Sequence, residues 1–158
     1  MAQTPELIVT QSIIDRLIDD EPGVRLDPPA TRAASFRQFK TGVRRDLEWL
    51  LNTRQVPEPA PREFKELFRS LYNYGLPDIT SLSRQSVTEQ RRLLNSLEEA
   101  LMMYEPRILG VNVSLDSSFQ NFRMLRFRID GMLRVDPSPE HVSFDTVLDV
   151  PTGEYEVK

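Results

Sequence analysis

The chain has 158 residues, 39% of them hydrophobic and 28% charged, with a formal net charge of −4. This length is typical of one domain with a buried core, and the charge gives no general attraction to nucleic acid or anionic lipid. With no cysteine and one histidine, the chain cannot hold a disulfide, a thiolate metal site or a pair of histidine ligands. No apolar run is long enough to span a bilayer, and the N-terminal sequence shows no secretory signal pattern, so we expect no membrane insertion.

The N-terminal two-thirds of the chain shows helical periodicity. Residues 1–30 are expected to form an arm with one short helix, whose apolar stripe contains Ile13, Ile14, Leu17 and Ile18. The helix breaker Asp27-Pro28-Pro29 precedes a long helix that Thr31 or Ser35 caps and that ends near Asn52. Its buried side is predicted to comprise Phe36, Phe39, Val43, Leu47, Leu50 and Leu51. Trp49 lies beside this stripe and is expected in the core, with a contact surface as the alternative.

A connector and a turn follow the long helix. Proline at every second position of residues 56–61 excludes a helix and predicts a stiff extended connector within the domain. Helical spacing resumes over residues 62–71, where Phe64, Leu67, Phe68 and Leu71 recur at helical intervals. Residues 73–78 predict a turn, in which Gly75 is suited to a positive φ.

Another helix leads to Pro106. It is predicted to start at Ser86 or Thr88, with Glu89 at capping-box distance from Ser86. Its buried side is predicted to contain Val87, Leu93, Leu94, Leu97, Ala100, Leu101 and Tyr104, and its solvent side Arg91, Arg92, Glu98 and Glu99. Pro106 lacks an N–H and disfavours helical geometry before it, so the helical region is expected to end there.

Beyond Pro106 the hydrophobic period falls to two, which predicts strands. The predicted strands cover residues 109–115, 125–135 and 142–150 and the terminal segment 154–157. The predicted fold is α+β, with helices in the N-terminal two-thirds packed on one face of a C-terminal antiparallel β-meander. Residues 31–158 are expected to form this single domain.

Three glutamates suggest a glycosidase-type hydrolase, in which two carboxylates act as acid and base or nucleophile. Glu98 and Glu99 are neighbours on a helix, so they point in different directions and are expected to face water. Arg107 lies two residues from Glu105 and would keep that carboxylate ionised. No phosphate-binding loop or Ser/His/Asp set indicates another enzyme class. The residues therefore do not support an enzyme or a cofactor.

The arginines of the second predicted strand suggest a nucleic-acid-binding face. If the hairpin register opposes Leu133 to Phe144, Arg128 lies opposite Asp149, and such cross-strand pairs would neutralise most of the basic ribbon. No aromatic residues lie between the arginines on the outward face of this strand, so that face offers no rings to stack on bases. His141 is expected in solvent, with no second metal ligand nearby in the sequence. An interaction protein is the interpretation that remains.

Several stretches of the chain together resemble one family. They are residues 44–54, with the sequence RRDLEWLLNTR, residues 72–78, with YNYGLPD, and Glu105-Pro106-Arg107, while residues 16–22 are similar to the family's opening. In this order, and followed by strands, they resemble the baseplate wedge proteins of contractile injection machines. The resemblance is to the TssE component of bacterial type VI secretion systems, and it covers roughly residues 12–157.

The resemblance implies a non-enzymatic cytoplasmic subunit, in a baseplate docked at the inner face of the cytoplasmic membrane. The implied partners are other baseplate wedge proteins, contractile sheath subunits and the central spike or hub, with no nucleic acid and no cofactor. Because the family is often labelled lysozyme-like, a peptidoglycan hydrolase stays as one alternative function, and a small nucleic-acid-binding module as another.

The resemblance also indicates two sites. The family's core motif falls on Glu105, Pro106 and Arg107, which we expect to be a structural and partner-docking motif. The charged pair is expected either to close on itself or to meet a partner's charges. Sheath subunits of the family join by exchanging strands, so we expect an exposed sheet edge to receive one. The candidate edge is the terminal strand, with the opposite edge as the alternative; its residues are Glu154, Tyr155, Glu156 and Val157.

Overall fold

The computed structural model describes residues 8–18, 22–23, 31–78, 86–116 and 123–158. The elements are α1 (Ile13–Leu17), α2 (Arg32–Asn52), α3 (Lys65–Phe68), a 3-10 turn (Leu71–Asn73), α4 (Val87–Tyr104), β1 (Ile108–Leu115), β2 (Met124–Leu133), β3 (Glu140–Asp149) and β4 (Glu154–Val157). The predicted helix breaker at residues 27–29 lies outside the described residues, as does part of the opening segment 16–22. Among the helices described, none is long and apolar enough to cross a membrane.

The predicted α+β fold is confirmed. The strands form one antiparallel sheet in the order β1-β2-β3-β4, so each strand pairs with its neighbour in the sequence. On one face of the sheet, α4 packs against β1 and α2 packs against β4. A single hydrophobic core lies between these helices and the sheet.

Side-chain caps set the starts of the two long helices. The Thr31 hydroxyl accepts a hydrogen bond from the amide of Ala34 at the start of α2. The Ser86 hydroxyl accepts one from the amide of Glu89 at the start of α4. Each cap satisfies an amide that has no partner within the helix. The apolar side predicted for α2 is confirmed, since every member except the half-buried Phe36 is buried.

Trp49 lies on the surface, which was the alternative prediction, and not in the core, which was the preferred one, since the residue is 60% exposed. Trp49 lies two positions after the buried Leu47, and at 3.6 residues per turn this places it about 200° round the helix from Leu47. Val87 is also exposed, at the first residue of α4. The predicted helix over residues 62–71 is reduced to α3 and the 3-10 turn, which leaves apolar residues exposed: Phe64, Leu67 and Leu71.

The register between β2 and β3 differs from the one considered above. Leu133 lies opposite Glu140, and Phe144 lies opposite Ile129. Opposing Leu133 to Phe144 would have required a loop of residues 134–143, whereas the hairpin turns within residues 134–139. Arg128 therefore pairs with Asp145 rather than Asp149, at 3.2 Å between Nε and Oδ1.

The alternation of β1 is interrupted near its start. Both Ile108 and Val111 are buried, and the register to β2 shifts between Leu109 and Asn112. Gly110 has a φ of 61°, a value that residues with a Cβ rarely adopt. The bulge restores the predicted inward position of Val111 after the chain leaves the junction with α4.

Thr146 is a fully buried polar residue of the core. It is 0% exposed, and its hydroxyl has no hydrogen-bond partner within the described part of the chain. We expect Thr146→Val to raise the free energy of unfolding by about 1 kcal/mol, because an unsatisfied buried hydroxyl is costly. Urea unfolding measures the change, with the exposed Thr88→Val as the matched control. A loss of stability relative to that control would contradict the prediction.

Candidate docking site at the junction of helix and sheet

The chain between α4 and β1 is held at several points. The Glu105 amide donates to the Leu101 carbonyl at 2.9 Å and so completes the last turn of α4. The Ile108 amide donates to the Glu105 carbonyl at 3.1 Å, which closes a turn around Pro106. The Arg107 carbonyl accepts from the Arg134 amide at 2.8 Å. The motif Glu105-Pro106-Arg107 is therefore a rigid corner.

Glu105 and Arg107 bond to each other. Glu105 is only 4% exposed, and its Oε1 accepts from Arg107 Nε at 2.6 Å and from the Arg107 amide at 3.3 Å. Its Oε2 accepts from Arg107 Nη2. This two-pronged contact is the strong geometry for a guanidinium and a carboxylate. Of the two arrangements expected from the sequence, the structure shows the pair closed on itself.

A third charge comes from α2. Asp46 Oδ2 accepts from Arg107 Nη2 at 2.7 Å, and the Arg107 guanidinium carbon lies 5.9 Å from the centre of the Phe39 ring. Burial alone would lower the pKa of Arg107, but hydrogen bonds and charge from Glu105, and then from Asp46, raise it above its ordinary value. Arg107 therefore stays charged while it joins α2 to the junction.

The ion pairs continue from Asp46 to the surface. Asp46 Oδ1 accepts from Arg45 Nη2 at 2.8 Å, and Arg45 Nη2 lies 2.8 Å from Asp15 Oδ1 of α1. The Arg45 guanidinium carbon is 4.9 Å from the centre of the exposed Trp49 ring, a cation–π distance. We call this series the charge chain; its members are Glu105, Arg107, Asp46, Arg45 and Asp15.

Asp15 holds α1 on α2. Its Oδ2 accepts from the Ser12 hydroxyl at 2.7 Å and lies 3.0 Å from the position that a Cβ on Gly42 would occupy. Glycine at this position therefore allows the close approach of α1 to α2. The Ser12 hydrogen bond, and after it the bond and charge of Arg45, lower the pKa of Asp15 despite partial burial.

The lowered pKa of Asp15 predicts an acid-sensitive contribution to stability. A carboxyl with a depressed pKa in the folded state stabilises it above the unfolded pKa of about 3.9, and the contribution disappears as pH falls through the folded value. We expect Asp15→Asn to cost about 1 kcal/mol at pH 7 and nothing once the pH is below the folded pKa. Urea unfolding over a pH series measures this. A difference that did not depend on pH, or one equal to that of the exposed Asp78→Asn, would contradict it.

The other motif stretches meet the same region. The Tyr74 ring packs edge-on against the ring of Tyr104, which is the residue before Glu105. The two ring centres are 5.1 Å apart. The Leu76 amide donates to the Thr53 carbonyl at 2.8 Å, so residues 72–78 lie against the end of residues 44–54. As predicted, Gly75 has a positive φ, of 108°. The three stretches that carry the resemblance thus come together in space.

The carboxylates considered for catalysis have other contacts. Glu98 Oε1 accepts from the Val113 amide of β1 at 2.8 Å, which differs from the predicted solvent position. Glu99 is exposed and lies 3.4 Å from Arg62, while Glu105 is enclosed by Arg107. Across the described ranges there is no group of three His, Asp or Glu residues that could hold a metal ion. The contacts of Glu105, Arg107 and Asp46 form a joint between α4, β1 and α2.

The candidate edge strand β4 lies at the opposite side of the sheet from β1. Tyr155 and Val157 are buried, and Glu154 and Glu156 are exposed. Burial raises the pKa of the Tyr155 phenol. The Tyr155 amide donates to Asn52 Oδ1, and Asn52 Nδ2 donates to the Tyr155 carbonyl, both at 2.8 Å. The two predicted sites, the junction motif next to β1 and the edge strand β4, therefore lie at opposite sides of the sheet.

Sequence reasoning missed the partners of both sites. Asp46 and Asn52 lie within the stretch 44–54, but no local pattern identifies their partners Arg107 and Tyr155, which are 61 and 103 residues away. For Asp46 and Arg107 the available signal was the resemblance, which includes residues 44–54 and Glu105-Pro106-Arg107 in one set, whereas Tyr155 lies outside the stretches that carry it.

A family model covers this set of residues, and one solved structure is also similar to the chain. Among solved structures, the chain is similar to a chain of "The baseplate complex from the type VI secretion system", with 23% identity and a TM-score of 0.47, over 69% of this chain and 93% of that chain. No curated protein matches significantly. The family described as baseplate wedge protein gp25 matches residues 37–138, which include both Asp46 and the junction motif. Since this match spans well over half of the sequence, the chain belongs to the gp25 family of baseplate wedge proteins.

Proposed function

We propose that the chain is a structural, TssE-type baseplate subunit of a contractile type VI secretion machine. It binds other wedge proteins and gives the contractile sheath its first attachment point. The observation that carries this proposal is membership of the baseplate wedge family over residues that include the whole junction. The subunit acts in the cytoplasm, in a baseplate at the inner face of the cytoplasmic membrane, close to the central spike or hub. Its role is assembly, without catalysis.

The charge chain supports a docking role for the junction. Its buried end, Glu105 with Arg107, fixes α4, β1 and α2 relative to each other. Toward its outer end, Arg45 stacks on the exposed Trp49 and pairs with Asp15 of α1. Tryptophan and arginine are enriched among residues that dominate binding energy at protein interfaces. The buried charges therefore hold a contact surface in a fixed position.

The surface around α1 has the composition of a protein interface. Four large apolar side chains of α1 and the residue after it are at least half exposed, and Arg45 connects them to Trp49. A soluble protein rarely exposes such a group of apolar side chains without a partner. We assign this wedge-contact surface to another wedge protein; it consists of Ile13, Ile14, Leu17, Ile18 and Trp49.

Trp49→Ala tests this surface. We expect the variant to copurify at least tenfold less wedge protein from its native cell, because central aromatic contacts contribute about 2 kcal/mol or more. Leu71→Ala is the matched control, since Leu71 is 81% exposed but lies near α3. Unchanged copurification of wedge protein by Trp49→Ala, with Leu71→Ala equally neutral, would contradict the assignment.

Two assays test the alternative functions. Clearing of cell walls by the purified protein would favour a hydrolase, and salt-dependent retention of the protein on DNA would favour a nucleic-acid-binding module.

The attachment of the sheath is proposed to use the edge of β4, Glu154–Val157. The Lys158 amide donates to the Asp145 carbonyl of β3 at 2.8 Å, and hydrogen bonding alternates along a strand. The amides of residues 155 and 157 therefore point away from β3, where an added strand would pair. Deleting the chain from Pro151 onward would also remove the buried Tyr155 and Val157, so a substitution is the cleaner test.

Val157→Pro removes one outward-facing amide and keeps an apolar side chain. Proline is tolerated on edge strands where the lost N–H faced solvent. We expect this variant to lose sheath protein in copurification while it retains wedge protein, whereas Val157→Ala, which keeps the amide, retains both. If Val157→Pro bound sheath as well as Val157→Ala, strand addition at β4 would be wrong.

A further inference from the structure

The side chain of Asn52 occupies the free edge of β4 in the way that a neighbouring strand would. Its carboxamide accepts from the Tyr155 amide and donates to the Tyr155 carbonyl, each at 2.8 Å. This is the pair of hydrogen bonds that one residue of an antiparallel strand exchanges with its partner. The same Nδ2 also donates to the Glu48 carbonyl at 2.9 Å, which holds the amide at the end of α2.

We propose that Asn52 is a gate on this edge, and that an incoming strand must displace its carboxamide in order to pair along Tyr155 and Val157. The proposal deepens the strand addition proposed above, and rests on it only for the identity of the protein that supplies the strand. Tyr155 loses no hydrogen bond in the exchange, because the strand replaces both bonds that Asn52 makes to it. Asn52 keeps its bond to Glu48, and the outward groups of Val157 gain partners.

The opposite edge of the sheet is closed in a different way. Glu98 accepts from the Val113 amide of β1, and α4 packs against that strand. A carboxylate has no donor for a strand carbonyl and repels one that approaches, so it cannot be exchanged for a strand bond by bond. Natural sheets protect their edges against unwanted pairing. The contrast makes β4 the edge that opens and β1 the edge that stays closed.

The chemistry of β4 defines the strand that would fit. Tyr155 and Val157 continue the buried face of the sheet, so the incoming strand needs apolar side chains on that face. Glu154 and Glu156 are exposed on the other face, where Glu156 lies 3.3 Å from Lys158, so basic side chains of the incoming strand would add cross-strand ion pairs there. The occupant is therefore an extended segment that alternates apolar and basic residues.

Two variants open the gate. Asn52→Ala removes the carboxamide, and Asn52→Asp places a carboxylate against the Tyr155 carbonyl and loses the donor. Asn95→Ala is the matched control, since Asn95 is an exposed asparagine on another helix. The probe is an alternating valine–lysine heptapeptide, with a valine–glutamate heptapeptide as the charge control. Thermal unfolding shows whether each variant is folded. If Asn52→Ala is not folded, Asn52→Asp is used in its place.

We expect the full-length Asn52 variants to bind the valine–lysine peptide about tenfold more tightly than the wild type and Asn95→Ala. Adding Val157→Pro to an Asn52 variant is expected to abolish the gain in peptide affinity. The valine–glutamate peptide is expected not to bind to any of the proteins. Equal peptide affinity for folded Asn52 variants and wild type would overturn the gate. If the gate variants bind the peptide but Val157→Pro leaves sheath copurification unchanged, the gate stands and sheath attachment at β4 fails.

Discussion

Arg107→Ala is expected to lower the free energy of unfolding by about 3–5 kcal/mol, because it leaves a buried carboxylate without its partner. Glu105 is only 4% exposed and would lose all of its bonds to the guanidinium at once. Asp46 would lose its link to the junction as well. The loss is a large part of the stability of an ordinary domain, about 5–15 kcal/mol. Urea unfolding at neutral pH measures it directly.

Two further variants separate the causes. Arg107→Lys keeps the positive charge but cannot make the two-pronged contact, so we expect an intermediate loss. Arg128→Ala is the exposed control, since its ion pair with Asp145 lies on the surface and contributes about 0–1 kcal/mol. If Arg107→Ala cost no more than Arg128→Ala, the buried pair would not be a structural joint. Under conditions where the Arg107 and Glu105 variants remain folded, we expect baseplate assembly to fall while the far-UV circular dichroism is unchanged.

Gly75→Ala is expected to cost about 3 kcal/mol or more, since it combines a forbidden backbone conformation with a clash. The φ of Gly75 is 108°, and an added Cβ would lie 2.4 Å from the Thr53 carbonyl oxygen. That oxygen accepts from the Leu76 amide at 2.8 Å, so the methyl group would push apart the bond that joins residues 72–78 to the end of α2. The same urea unfolding experiment measures the loss.

Gly110→Ala provides the matched control for this clash. Gly110 also has a positive φ, of 61°, but no atom lies within 4 Å of an added Cβ. We therefore expect Gly110→Ala to cost only the backbone penalty of about 1–2 kcal/mol. Equal losses in the two variants would show that the contact with Thr53 does not matter and that the conformation alone explains the effect.

The differences between sequence and structure have a common origin in packing. Helical periodicity correctly gave the buried side of α2 but could not decide whether Trp49, outside that stripe, had a neighbour to pack on. It placed Glu98 in water, because only the position of β1 beside α4 gives that carboxylate an amide to bind. The β2–β3 register followed from the length of the turn, which alternation alone leaves free.

The sequence by itself determined the elements and their order. Its caps, its hydrophobic periods and the change at Pro106 specify two long helices followed by a meander, because each of these signals acts within a few residues. Glu105-Pro106-Arg107 could be identified as a special corner in the same way. Only the tertiary structure decided what surrounds it. Asp46 reaches Arg107 across 61 residues, and Asn52 reaches Tyr155 across 103. Such pairs arise when helices pack on the sheet, and no local pattern encodes them.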